Sequence, residues 1–213
     1  MVLCLFIGFL LAAGMMSTVP IYMDSSLQRI LIKDMQAYQQ ETGSYPGEYV
    51  VTDSIPLKAS NADRRASVEN MTALVDSRTA KINMPQADSK TILTDSYMYI
   101  TSGKTARVKI IGMSGIDEHI ELIQGRMYEP GQLPDGTFEV IANEECLKIL
   151  DISCGGTYQI QNSFYSSAEP LYVTVVGVFQ QSSENDSYWS ETMEDYLNAM
   201  FLDYDTFLGD YLD

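Results

Sequence analysis

Apolar and polar positions along this chain fall into three successive patterns. From Met1 to Met23 no side chain is charged, and Val2–Met16 is almost unbroken Leu, Phe, Ile, Val, Ala, Met, Gly and Cys. A helix over 1–23 would reach roughly 35 Å, enough for a hydrocarbon core of about 30 Å. The stretch therefore reads as a transmembrane helix, with Tyr22 where an interfacial aromatic belongs. A signal peptide is the rival reading. Ala12-Ala13-Gly14 resembles a cleavage site, but no Lys or Arg opens the run, a lack that also weakens the anchor. A buried core helix is a third option, set against an apolar character on every face. The second pattern is amphipathic. Leu27, Ile30, Leu31 and Met35 recur at helical spacing, which predicts a helix over 24–42 stopped by Gly43. With Pro20 placing a kink near the membrane exit, 24–43 reads as a stalk continuing from the span.

The third pattern, over 44–213, mixes both periodicities. Gly43-Ser44-Tyr45-Pro46-Gly47 predicts a turn and Glu48–Leu57 a strand. Asn61 is placed to cap a helix over about 62–81, with Val68, Met71, Leu74 and Val75 as its stripe. Strands are predicted over 91–102 and 106–112, joined by a hairpin turn at Gly103-Lys104. A short helix starting at Ser114 or Asp117 would hold Ile120, Leu122 and Ile123. Phe138–Ala142 predicts a strand and Asn143 the cap of a helix to about Leu150, with Glu144 and Glu145 well placed in its first turn. Gly155-Gly156 predicts a turn, then 157–161 and Leu171–Phe179 predict strands. The polar run 182–194 reads as a mobile loop. A last strand over 199–202 and a last helix over 204–212 follow. Elements neither strictly alternating nor segregated indicate an α+β domain.

Charge narrows the partners. The 213 residues hold 29 acidic and 13 basic side chains, a formal net charge of −16. Such a surface disfavours nucleic acid and anionic lipid headgroups. It suits a domain held away from the bilayer. Three cysteines are present. Cys4 lies in the span, and Cys146 and Cys154 either form a disulfide or, the favoured reading, pack as a buried helix residue and a loop residue.

The chemistry of catalysis is sparse. His119, in Asp117-Glu118-His119-Ile120-Glu121, has no zinc-type spacing and reads as a helix-surface residue. No P-loop or dinucleotide glycine motif occurs. The acidic groups Glu184, Asp186, Glu191 and Asp203, Asp205, Asp210 lack EF-hand order. No catalytic residue, metal ligand or cofactor is therefore assigned. Tyr45, Tyr49, Tyr97 and Tyr99 read as sheet-face packing rather than a groove. Trp189, in an acidic loop, is the candidate for an exposed contact with a partner or the membrane.

Val19-Pro20-Ile21-Tyr22, followed by Asp24, Leu27, Gln28 and Arg29, resembles the exit of the first membrane helix in FtsX-like ABC-transporter permeases. Ile116–Phe179 resembles the extracytoplasmic domain of the MacB/FtsX type. Its elements run in order: a short helix ending in Gly125-Arg126, the strand Phe138–Ala142, Asn143-Glu144-Glu145, Leu150-Asp151-Ile152, Gly155-Gly156-Thr157 and Val173–Gly177-Val178-Phe179. The family usually has Gly-Asp where Gly155-Gly156 stands, a change within a turn. About half the chain is covered. The resemblance implies a MacB-like α+β core outside a bacterial cell membrane. It also implies a separate cytoplasmic ABC ATPase as partner, a second permease subunit or permease dimer, and a substrate such as a lipid, peptide or drug-like molecule. Pro20, Tyr22, Leu27 and Arg29 would belong to the membrane exit and stalk, and Gly125, Arg126, Gly155, Gly156 and Gly177 to structural turns. Because one span cannot enclose a pathway, the chain reads as the front part of a multi-pass protein. A membrane-anchored sensor or adhesion ectodomain is the alternative, and a secreted hydrolase lacks a site.

Overall fold

The computed structural model of the chain describes residues 6–9, 23, 26–38, 41, 47–56, 59–82, 88–95, 98–102, 105–161, 170–183, 186, 188–189 and 193–211. Two compact units are present, Met1–Tyr49 and Val50–Asp213. In the first, residues 6–9 are helical and 26–38 form helix α1. Leu27, Ile30, Leu31, Ile32, Met35 and Tyr38 of α1 are exposed, as is Arg29. Among the described residues no helix is long and apolar enough to cross a membrane. Most of the predicted span over 1–23, including Pro20 and Tyr22, lies outside the described residues.

The second unit is a mixed α and β domain dominated by its sheet. Helix α2 (Asn61–Ile82) opens it. The cap falls one residue earlier than predicted. Ser60 Oγ accepts from the Asp63 N–H, as an N-cap does, and donates to the Asp63 carboxylate. Of the predicted stripe on α2 only Val68 is buried. The helix is fixed instead through Arg65, which donates to the carbonyls of Leu208 and Gly209 at 3.0 and 3.1 Å.

Among the described residues eight strands follow: β1 (Ile92–Thr94), β2 (Met98–Thr101), β3 (Thr105–Met113), β4 (Ile120–Gly125), β5 (Thr137–Asn143), β6 (Thr157–Gln161), β7 (Leu171–Gln181) and β8 (Ala199–Leu202). Helix α3 (Glu144–Leu150) lies between β5 and β6, and α4 (Tyr204–Leu208) follows β8. β3 pairs antiparallel with β2, β2 with β6, and β6 with β7; β7 runs parallel to β5, β5 antiparallel to β8, and β8 parallel to β3. The pairing path thus returns to its start and closes a six-membered ring. β1 extends the β2 edge of β3, and β4 extends the β6 edge of β7.

Alternation along the strands gives the ring two apolar faces. One core cluster draws on all six ring strands: Ile100, Val108, Met200, Val140, Val173 and Ile160. Cys146 and Leu150 of α3 and Phe207 of α4 also enter this cluster. A second cluster joins the opposite faces of β3, β5, β7 and β8 through Ile111, Ile141, Phe179 and Phe201. Ile116, Tyr188, Trp189 and Tyr196 cover it.

Three sequence expectations need correction. No strand forms over 48–56, where Tyr49 and Val50 are exposed; β-propensity without a neighbouring strand does not make a strand. The predicted helix holding Ile120, Leu122 and Ile123 is a 3-10 turn, Ile116–Glu118, followed by β4. β7 offers this backbone a ladder of hydrogen bonds, whereas an isolated helix so short is marginal. In the predicted mobile loop, the described residues Tyr188 and Trp189 are buried.

Other expectations hold. Asn143 Oδ1 accepts from the Cys146 N–H at 2.7 Å and caps α3. Asp151 ends that helix in the left-handed conformation at φ 56°, the one non-glycine positive φ among the described residues. Cys146 and Cys154 are free thiols.

Candidate functional site

Among the described residues, one group of potentially reactive side chains lies where three distant segments meet beside the second cluster. The 3-10 turn ends at His119, whose backbone is not that of a helix surface. Its carbonyl accepts from Ser182 N–H at 3.1 Å and from Trp189 Nε1–H at 3.0 Å. Its imidazole stacks on Tyr188 with ring centroids 3.9 Å apart and planes 3° from parallel. Tyr188 is held in turn by its hydroxyl, which donates to the Ser114 carbonyl at 2.7 Å. Lys90 donates to the Tyr188 carbonyl and lies 5.4 Å from the ring centroid.

Two carboxylates flank the imidazole. His119 Nδ1 and Asp186 Oδ2 are 2.7 Å apart, and His119 Nε2 lies 3.9 Å from Asp88 Oδ2. One ligand atom from each of Asp88, His119 and Asp186 falls within 4.8 Å of the others. For Asp186, burial acts to raise the pKa. The Tyr188 N–H and the His119 bond outweigh it and hold the carboxyl below its ordinary range. An imidazole between two carboxylates suits a proton or a divalent cation. Among the described residues the partners of the imidazole are the two carboxylates and the Tyr188 ring.

Little in the sequence signals this cluster. His119 and Asp186 are 67 residues apart, and along the chain Asp186 stands only among acidic and polar neighbours. The usable signal is Tyr188-Trp189: two adjacent aromatics in a polar run indicate an anchored segment. Trp189 itself is corrected. It is 6% exposed and packs against Tyr188, Tyr196, Phe179 and Phe201. It covers the outer faces of β7 and β8, and is therefore not an exposed contact.

The predicted glycine motifs form a second constellation. Gly125 and Gly177 are register partners across β4 and β7. The next residue, Arg126, donates its N–H to the Val176 carbonyl at 3.0 Å. Its guanidinium forks onto Glu139 of β5 at 2.7 and 2.6 Å, and the Glu129 N–H donates to the same carboxylate at 2.9 Å. The Arg126 bond comes first among the influences that hold Glu139 below the usual carboxylate range, despite burial. Gly155 begins the predicted turn at φ +86°, and its N–H donates to the Val175 carbonyl. Gly156 accepts there from the Val175 N–H. These residues tie β4, β5, β6 and β7 together without a ligand.

No family model matches the chain, and no curated protein matches it. Among solved structures, the chain is similar to the periplasmic region of MacB from Actinobacillus actinomycetemcomitans, at 16% identity and a TM-score of 0.34. That similarity covers 63% of this chain and 56% of the MacB region.

Proposed function

We propose that this chain is part of an ABC-transporter permease of the MacB/FtsX type, and that Val50–Asp213 belongs to its extracytoplasmic domain. The observation that carries the reading is the ordered run of family-like motifs from Gly125-Arg126 to Val173–Phe179. They fall in succession on the end of β4, on β5, on α3 and the turn after it, and on β6 and β7, where Gly125 meets Gly177 and Asn143 caps α3. The uncharged 1–23 stretch and the amphipathic α1 after it give further support from sequence.

In this reading 1–23 is a membrane helix, 24–43 a stalk, and 44–213 the outer domain of a longer, multi-pass protein. The chain itself carries no catalytic step. A separate cytoplasmic ATPase hydrolyses ATP, and a second permease copy or subunit completes the membrane pathway. Pro20, Tyr22, Leu27 and Arg29 act as mechanical parts of the exit and stalk. The domain then exports, extracts or signals to a lipid, peptide or drug-like substrate. Purification of the protein from its native membranes in mild detergent tests this. An ABC ATPase recovered in stoichiometric amount is the expected result. Its absence, or recovery of a kinase in its place, contradicts the permease reading and favours an anchored sensor.

A further inference from the structure

Among the described residues, helix α2 is fastened by its first half. Val68 is its one buried residue, and Arg65 reaches the carbonyls of Leu208 and Gly209. From Met71 the helix runs on to Ile82 with no buried side chain. Leu74 and Ile82 are 42% and 52% exposed there. At 3.6 residues per turn, Met71, Leu74, Arg78, Lys81 and Ile82 share one side of α2, and Glu69 and Asp76 fall on the opposite side. Arg78 and Lys81 are exposed, and neither closes an ion pair among the described residues. Asp63, the remaining acid of α2, lies in the first turn and accepts from the Ser60 hydroxyl at 2.7 Å. Charge also sets the helix apart. Four basic and three acidic side chains give α2 a net charge of +1, in a chain of net charge −16.

We propose that this side of α2 is the docking surface for an acidic amphipathic helix of a partner protein. Leu74 and Ile82 stand two turns apart, about 12 Å, with Arg78 midway. A helix laid along that ridge packs its own apolar residues beside Leu74 and Ile82. Its Asp and Glu side chains, one turn apart, meet Arg78 and Lys81. Opposite charge then selects the partner and sets its register, and a basic helix is repelled.

The same features disfavour other occupants. A helix that lies on a membrane carries its basic residues on the polar face, opposite a broad apolar one. On α2 the polar face carries Glu69 and Asp76, and the cations interrupt the apolar row. A second copy meeting α2 through its own α2 sets Arg78 and Lys81 against cations. Through α1, whose Leu27, Ile30 and Leu31 are exposed, it brings Arg29 and Lys33 against one acid, Asp34. The inference does not rest on the permease reading, since an anchored sensor would use the same surface.

The test places a photo-crosslinking amino acid at Leu74 or at Ile82 of the protein in its native membranes and maps the adducts by mass spectrometry. Both positions are expected to attach to one helical segment of one partner, with apolar residues at helical spacing and Asp or Glu between them. Arg78→Glu combined with Lys81→Glu should lower the yield roughly tenfold or more, and Arg78→Lys with Lys81→Arg should retain it. Melting curves of both double variants should match the parent, which separates lost docking from misfolding. Adducts with lipid, with a second copy, with residues 1–49 of the same chain or with a segment lacking acidic residues overturn the proposal. So does the absence of an adduct at both positions, or a yield that survives the charge reversal.

Discussion

Gly125 and Gly177 face each other across the β4–β7 pair with no room for a methyl group on either. A Cβ on Gly125 would lie 2.1 Å from the Val176 carbonyl oxygen and 3.0 Å from Gly177 Cα, and a Cβ on Gly177 would lie 2.3 Å from the Arg126 carbonyl oxygen. Gly125 also has φ +77°. Backbone therefore meets backbone here, and glycine is required by contact as well as by conformation.

Gly125→Ala combines left-handed strain with overpacking and costs roughly 2–5 kcal/mol. Gly177→Ala, overpacked only, costs about 1–3 kcal/mol. Gly155→Ala has φ +86° but open space around the added carbon, so it costs only about 1–2 kcal/mol. Urea unfolding of the three variants is expected to give Gly125→Ala as the least stable and Gly155→Ala as milder.

The Arg126–Glu139 pair gives a pH dependence with a definite sign. The folded carboxyl titrates below its ordinary range, so the unfolded chain takes up its proton first as pH falls. The stabilising contribution is complete above the ordinary glutamate pKa and is lost as pH drops from there through the lower folded value. Melting curves across that acid window should fall less steeply for Glu139→Gln than for the parent. Arg126→Met, which strands a buried carboxylate, should lower Tm by several degrees, and adding Glu139→Met should restore much of the loss.

Trp189 tests the corrected reading of its loop. Buried among four aromatic rings, it behaves as a core residue. Trp189→Ala is expected to cost about 3–5 kcal/mol in chemical denaturation. A near-neutral effect would return the residue to the surface.

Cys146 and Cys154 should differ sharply. Burial pushes the Cys146 thiol up to about 12, which leaves almost no thiolate at neutral pH. Cys154 is half-buried. A thiol reagent should modify Cys154 in the folded protein and spare Cys146, and all three cysteines should react after denaturation without reductant. A single reactive thiol under those conditions would indicate a Cys146–Cys154 disulfide instead.

Much of the sheet was legible in the chain because its signals are local. Asn143 followed by Glu144-Glu145 marks a helix start wherever it occurs, and Leu171–Phe179 is apolar enough to be a central strand. Ile120–Gly125 was misread because its fate depends on β7, more than fifty residues later. The ring closure through β2–β6 and β3–β8 is likewise non-local, and periodicity carries no trace of it. The His119 cluster was hidden for the same reason. Its members come from three loops, and neither carboxylate bears any sequence relation to the imidazole. Trp189 was misplaced because polar neighbours outweighed its own large apolar surface.

The central claim is that ATP hydrolysis on a separate subunit moves this domain. Hydrogen–deuterium exchange on the complex purified from native membranes, nucleotide-free and then trapped with ATP and vanadate, addresses it most directly. The account predicts a nucleotide-dependent change in exchange within 24–43 and in Val50–Asp213. Identical exchange in the two states, with the ATPase bound and vanadate trapping confirmed by loss of ATPase activity, would contradict it.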